Sequence, residues 1–135
     1  MIIPTRNRAK LVPFAVEKAF QQDYSNLEII VSNNASSDNT QKVLEDLSFQ
    51  FPELITIHHQ SLLDISTHWH TIIDQYTTGD LLIIIPDDDV LTDPHYLTNA
   101  VSIFNNYPEI GIVFANYHVV DSNRNIIKSI TAAFE

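Results

Sequence analysis

Gly79-Asp80-Leu81-Leu82-Ile83-Ile84-Ile85-Pro86-Asp87-Asp88-Asp89 is the stretch that decides the fold. The five apolar residues Leu81 to Ile85 read as a strand buried on both faces, as in a parallel sheet. Pro86 ends it, because proline brings no N–H to the ladder. The three carboxylates therefore stand at the carboxyl end of a central strand, the edge where open α/β sheets bind ligands. Adjacent carboxylates repel: at ~5 Å and an effective dielectric of ~20, one pair costs roughly 3 kcal/mol. A divalent cation relieves that repulsion, and hard oxygen ligands suit Mg²⁺ or Mn²⁺. Acidic runs are usually solvated turns, but the position of this one, directly after a buried strand, favours a site.

Strand and helix signals alternate on both sides of this stretch. Met1 to Pro4 reads as the end of a first strand and Thr5 to Ala9 as a polar loop. Leu11, Phe14, Ala15 and Ala19 have helical spacing. Leu27 to Val31 is a second strand, with the polar loop Ser32 to Asn39 after it. Val43, Leu44 and Leu47 mark a helix that Pro52 bounds, and Leu54 to His58 is a third strand. Trp69, Ile72, Ile73 and Tyr76 give another helix, ending near Gly79. After the acidic strand, Leu97, Ala100, Val101 and Phe104 line a helix, with Asp93-Pro94 as its N-cap and first residue. Ile110 to Tyr117 reads as a fifth strand, and Asn116 to Ile130 as a hairpin around Asp121-Ser122-Asn123. This order predicts an α/β fold, a mostly parallel sheet with helices on both faces. Thr131 to Glu135 bring no closing element, so the chain reads as a single domain over 1–135, cut short at both ends.

The totals narrow the function. A chain of 135 residues fits one core. Seven Lys+Arg against seventeen Asp+Glu give a net charge of −10. Nonspecific nucleic-acid binding needs cations to neutralise phosphates, so that class is disfavoured. A phosphorylated ligand at the acidic edge needs a metal. The absence of cysteine excludes disulfides and thiolate metal sites. No apolar run approaches the ~20 residues of a membrane span, and no signal peptide is visible. The expected location is cytoplasmic, with any membrane association supplied by segments outside this chain. With only Gly79 and Gly111, neither a P-loop nor a G-x-G-x-x-G fingerprint is present.

Two more loops reach the same sheet edge. Ser32-Asn33-Asn34-Ala35-Ser36-Ser37-Asp38-Asn39-Thr40 comes after strand two. It reads equally as a helix-capping loop, with Ser37 or Asp38 as cap, and as a ligand loop. Pro4-Thr5-Arg6-Asn7-Arg8 comes after strand one, and its arginines suit a base or a phosphate. His58-His59 and His68-x-His70 invite a zinc reading. However, neighbours on a strand point to opposite faces, and residues two apart on a helix lie about 200° apart. Neither pair converges, and structural histidines are the better reading.

These segments together resemble the family 2 glycosyltransferases, which have the GT-A fold. Ile2-Ile3-Pro4-Thr5-Arg6-Asn7-Arg8 matches the family's opening strand and P-T-[YR]-N-R. Gln22-x-Tyr24 and Glu28 match Q-x-Y-x-x-x-E. Val31 to Thr40 matches V-[SD]-D-[NG]-[AG]-S-[ST]-D-x-T. Gly79-Asp80 and Asp87 to Asp89 match the G-[DE] and D-x-D-type elements around the apolar strand. Leu91 and Pro94 stand where the family often has an apolar residue and a proline. Four modest motifs in order, across residues 2 to 116, make the resemblance specific.

The resemblance implies transfer of a sugar from a UDP-, GDP- or dTDP-linked donor to a saccharide or lipid-linked acceptor, as in polysaccharide biosynthesis. It implies nucleotide-sugar contacts from Pro4, Thr5, Arg6, Asn7, Arg8, Asn33, Asn34, Ser36, Asp38, Asp87 and Asp88. Thr5, Arg6 and Asn33 would line the nucleoside pocket. Asp87 and Asp89 would hold Mg²⁺ or Mn²⁺, with Asp89 as direct ligand. Asn33 stands where the family commonly has a base-reading aspartate, and an amide both accepts and donates, which leaves the base open. The catalytic aspartate of inverting members lies beyond Glu135, and neither Asp121 nor Glu135 replaces it. The fragment alone is therefore expected to bind donor without transferring sugar. Two other classes place acids at strand ends: haloacid-dehalogenase-like phosphatases and noncatalytic receiver-like modules. Val90-Leu91 after the acids, and a lone late Lys128 in a hairpin, fit them poorly.

Overall fold

Ile2–Thr5 (β1), Ile30–Asn33 (β2) and Ile55–His58 (β3) form a parallel sheet in the order β1-β2-β3. The structure, a computed structural model, describes residues 1–131. Val12–Phe20 (α1) connects β1 to β2, and Thr40–Gln50 (α2) connects β2 to β3. Ile65–Tyr76 (α3), Tyr96–Asn106 (α4), Tyr117–Val120 (β4) and Ile126–Ile130 (β5) complete the order. Packing divides the chain into two compact units, Met1–Leu97 and the residues from Thr98 onward.

Strand alternation builds the first unit's two cores. Ile3 and Val31 point to one face, where Val12, Ala15, Val16 and Ala19 of α1 and Leu44 and Leu47 of α2 cover them. Ile2, Ile30 and Ile57 point to the other face, against Ile72 of α3. Phe20 stacks on Phe51, with centroids 4.5 Å apart, at the rim of the first core. The α/β class with helices on both faces is thus the one the sequence predicts.

Three expected elements differ. The run Leu81 to Ile85 is not a strand buried on both faces. It meets β1 through a single parallel bridge, Ile2 with Ile84. Ile2 N donates to Ile83 O at 2.8 Å, and Ile85 N donates to Ile2 O at 2.9 Å. Among the described residues of this unit no strand pairs its outer side, so Leu81 and Leu82 remain 46% and 48% exposed. The expected fifth strand, Ile110 to Tyr117, is irregular up to Tyr117, where β4 begins. An apolar run forms a strand only where a neighbouring edge completes its ladder, and Ile112 and Phe114 are exposed. Asp93-Pro94 does not open the helix either: Asp93 Oδ1 accepts from His95 N at 2.9 Å, and α4 starts at Tyr96, two residues beyond Pro94. The expected hairpin does form in the second unit, with β4 and β5 antiparallel and Asp121 Oδ1 accepting from Asn123 N and Asn125 N.

Two motif residues act as long-range clamps. Glu28 accepts from Thr78 N at 3.3 Å and Thr78 Oγ1 at 3.0 Å. Buried Gln22 donates through Nε2 to Asp93 O at 2.8 Å and accepts through Oε1 from Leu97 N at 3.2 Å. This fixes the segment after the acidic turn. Gln22→Ala strips two backbone groups of their partners and is expected to lower stability by about 2 kcal/mol. A reduced urea midpoint with an unchanged m-value would show it.

Candidate functional site

The parallel register places Thr5, Asn33 and His58 side by side at the carboxyl edge of the sheet. All three face the α1/α2 side, since residues in register share a face. The chain after Ile85 reaches the same edge. Thr5 Oγ1 donates to Asp87 Oδ2 at 2.5 Å, and both residues are buried. Arg8 Nε lies 3.6 Å from Asp87 Oδ1. The loop after β1 and the acidic turn are therefore joined at a carboxylate.

Asp87, Asp88 and Asp89 divide in their settings. Asp87 points inward, and burial pushes its carboxyl above the usual carboxylate range. The Thr5 hydroxyl, Arg8 and the Arg6 backbone N–H oppose that rise, while Asp88 adds to it. Asp89 N donates to Pro86 O at 3.0 Å, which turns the chain so that Asp88 and Asp89 are exposed. Partial burial raises Asp89 as well, and Asp88 adds to it. Two carboxylates thus face outward beside a third already engaged by protein donors.

The loop after β2 is tied to the loop after β1 by its own polar groups. Asn33 Oδ1 accepts from Ser36 N at 3.1 Å and Ser36 Oγ at 2.5 Å. Asn34 clamps Leu63, donating to its carbonyl and accepting from its N–H, both at 2.9 Å. Asn7, at φ 54°, accepts from Ser37 N at 2.8 Å and donates its own N–H to Ser36 Oγ at 2.9 Å. Asparagine tolerates that left-handed geometry better than most residues. Asp38 Oδ1 accepts from Thr40 N and Oγ1 at the start of α2, and the Thr40 hydroxyl is the main cause that holds its carboxyl low. Thr40 Oγ1 in turn accepts from Arg8 N at 2.9 Å. Asn34 and Asp38, expected as ligand contacts, here hold the loops in place, while Arg6 and Arg8 keep exposed side chains. An open groove of about 540 Å³ runs along Arg8, Lys10 and Asp38.

One cluster is invisible in the sequence pattern. His59 and His68, one from each expected pair, converge on buried Ser32. Their Nε2 atoms lie 3.1 and 2.8 Å from its Oγ, and the rings meet edge to face at 5.0 Å. A hydroxyl has one proton, so at least one imidazole donates to it. Burial, and then His59, lowers His68 to about 4, and burial lowers His59. Spacing within each pair could not show this, because the contact joins β3's end to α3's first turn. Among the described residues, no three His, Asp or Glu side chains form a ready-made metal cage.

Comparison with known proteins agrees with this arrangement. The chain is 25% identical over 127 residues to an uncharacterized glycosyltransferase of Nostoc sp., a match covering 94% of this chain and 38% of that protein. It superimposes with a TM-score of 0.71 on a mannosyltransferase from Pyrobaculum calidifontis in complex with GDP-Man and Mn²⁺, at 25% identity over 76% of this chain and 31% of that one. It superimposes with a TM-score of 0.67 on S. aureus TarS 1-349 in complex with UDP-GlcNAc, at 15% identity over 88% of this chain and 39% of that one. The chain thus spans less than half the length of these relatives. These neighbours share the GT-A glycosyltransferase fold. The profile of Glycosyl transferase family 2 matches residues 1–134, and the chain belongs to that family.

Proposed function

We propose that this chain binds the nucleoside diphosphate part of a sugar donor, together with a divalent cation, for transfer of the sugar to an acceptor. One observation carries the reading: Thr5 and Asp87 join the β1 loop to the acidic turn beside Asn33, so three loops form one polar edge. Thr5, Arg6, Asn7, Arg8 and Asn33 would surround the nucleoside and its phosphates. Pro4, Asn34, Ser36 and Asp38 would shape the loops that present them. Asp87, bonded to Thr5, would order the edge, and Asp88 would lie against the ribose and the diphosphate.

The donor set fits Mg²⁺ or Mn²⁺. Such ions are held by one or two carboxylates, with substrate phosphates and water completing the shell. Asp89, with Asp88 beside it, supplies that number in exposed positions. Burial is the main cause of the upward shifts of Asp87 and Asp89, the charge of Asp88 adds to both, and a bound cation would offset each. A bound metal would neutralise charge developing on the leaving diphosphate. The Mn²⁺ present with GDP-Man in the Pyrobaculum mannosyltransferase supports the same use. Arg8 and Lys10 add positive charge along the adjoining groove. Sugar transfer itself, with a saccharide or lipid-linked acceptor, is proposed for the longer protein such relatives represent. No described helix is long and apolar enough to cross a membrane.

Calorimetry with UDP, GDP and dTDP, in Mn²⁺ and in EDTA, tests this reading. Binding that appears with Mn²⁺ and vanishes with EDTA is expected. A folded sample that binds none of the three in either condition contradicts it.

A further inference from the structure

His58-His59 and His68-x-His70 invite zinc in the sequence, and neither pair converges within itself. The fold brings one member of each together instead. Strand alternation points Ser32 to the α3 side of the sheet, away from the side that Asn33 faces. Its Oγ lies 3.1 Å from His59 Nε2 and 2.8 Å from His68 Nε2. Two nitrogens and an oxygen thus converge with only hydrogen between them. Rigid backbone holds them there. His59 N donates to Asn33 O at 3.0 Å, and His68 N donates to Asp64 O at 2.9 Å. Asn34 clamps Leu63, just ahead of α3, through both its carbonyl and its N–H. Side chains carried on such fixed elements lose little freedom when an ion arrives.

The donor types decide which ion. Imidazole nitrogen suits Zn²⁺, Cu²⁺ and Ni²⁺, whereas Mg²⁺ and Mn²⁺ prefer oxygen. Two imidazoles and a hydroxyl leave the fourth position of a tetrahedral zinc shell to water. His68 is 3% exposed and His59 is only partly buried, so His59 marks the side open to solvent. A net charge of −10 favours capture of a cation. We propose that Ser32, His59 and His68 form a second metal site, for Zn²⁺ or another divalent ion that prefers imidazole, separate from the acidic turn. The ion would tie the ends of β2 and β3 to the first turn of α3.

Nitrogen-edited NMR of the histidine side chains tests this as zinc chloride is added to metal-free protein, with no nucleotide present. Excess Mg²⁺ occupies oxygen-rich sites and leaves imidazoles free. The Nε2 signals of His59 and His68 should move together and saturate at one Zn²⁺ per chain. Loss of even an outer-shell partner of a metal costs about 10–100-fold in affinity. His59→Gln and His68→Gln, each removing a ligand, should therefore weaken Zn²⁺ binding in calorimetry by about 100-fold or more. His59 is the more exposed of the two, which keeps the test open if His68→Gln fails to fold. Unmoved Nε2 signals of His59 and His68 in the folded protein would overturn the proposal. Zn²⁺ affinity unchanged in His59→Gln, or shifts confined to other histidines such as His70 and His95, would overturn it too. The nucleotide reading stands or falls separately, because Zn²⁺ alone is the probe.

Discussion

Asp89→Asn, alone and combined with Asp88→Asn, is expected to weaken Mn²⁺-supported binding of GDP by about 100-fold, a loss of roughly 2.7 kcal/mol. Asparagine keeps the size and one oxygen but loses the charge that holds a hard cation. Both side chains are exposed, so the fold should survive, and relief of the repulsion within the triplet should leave the melting temperature unchanged or slightly higher. Asp87→Asn should behave differently. Its carboxylate accepts from Thr5 and lies near Arg8, so the variant should disturb the β1 loop and weaken GDP binding with or without metal. Calorimetry in Mn²⁺ and in EDTA separates the two patterns. Equal losses in both conditions for Asp89→Asn would remove it from the metal site.

The second large effect is loss of stability in acid. His68 is 3% exposed, and its folded value is lowered to about 4 from the ordinary 6.5. A histidine lowered in this way is neutral in the folded chain and protonates first in the unfolded one. Its contribution is therefore complete above pH 6.5 and is lost as pH falls from 6.5 toward 4. A shift of that size corresponds to about 3 kcal/mol. His59, lowered by burial, acts in the same direction. Exposed His95 beside Asp23 is raised and acts in the opposite direction. His68→Gln should cost stability at about pH 7.5, because the Ser32 contact changes, but should flatten the decline from there to about pH 4.5. Urea midpoints across that range measure it, and parallel declines in the two proteins would rule out His68 as the source.

The layers of this fold are visible in the sequence because burial and strand period coincide. Ile2, Ile3, Ile30 and Val31 are apolar on both faces, as a covered parallel sheet requires. The acidic triplet is legible for the same reason: Pro86 stops the pairing and the chain must turn. Leu81 and Leu82 mislead because an apolar run reports the capacity to be buried between two neighbours, not the presence of both. Ile110 to Phe114 misleads in the same way.

At the site, residue types show the chemistry but not the partners. Asn33, Asn34, Ser36 and Asp38 read equally as ligand donors and as loop supports, and composition cannot separate those roles. The structure shows Asn34 and Asp38 bonded to Leu63 and Thr40, and Asn33 bonded to Ser36 and His58. His58 reads as structural from sequence alone, and only register places it beside Asn33. Ser32 lies on β2, His59 directly after β3 and His68 on α3, so no local pattern marks them.

If the β1 loop, the β2 loop and the acidic turn form one metal-dependent nucleotide site, a bound Mn²⁺ must lie close to all three. Paramagnetic broadening of the protein's backbone amide NMR signals by Mn²⁺, recorded with GDP present, reads that proximity residue by residue. Broadening centred on residues 87–89 and extending to 5–8 and 33–38 is the predicted result. Broadening centred elsewhere, such as the exposed acids of α2, or none at all in a folded sample, would contradict it.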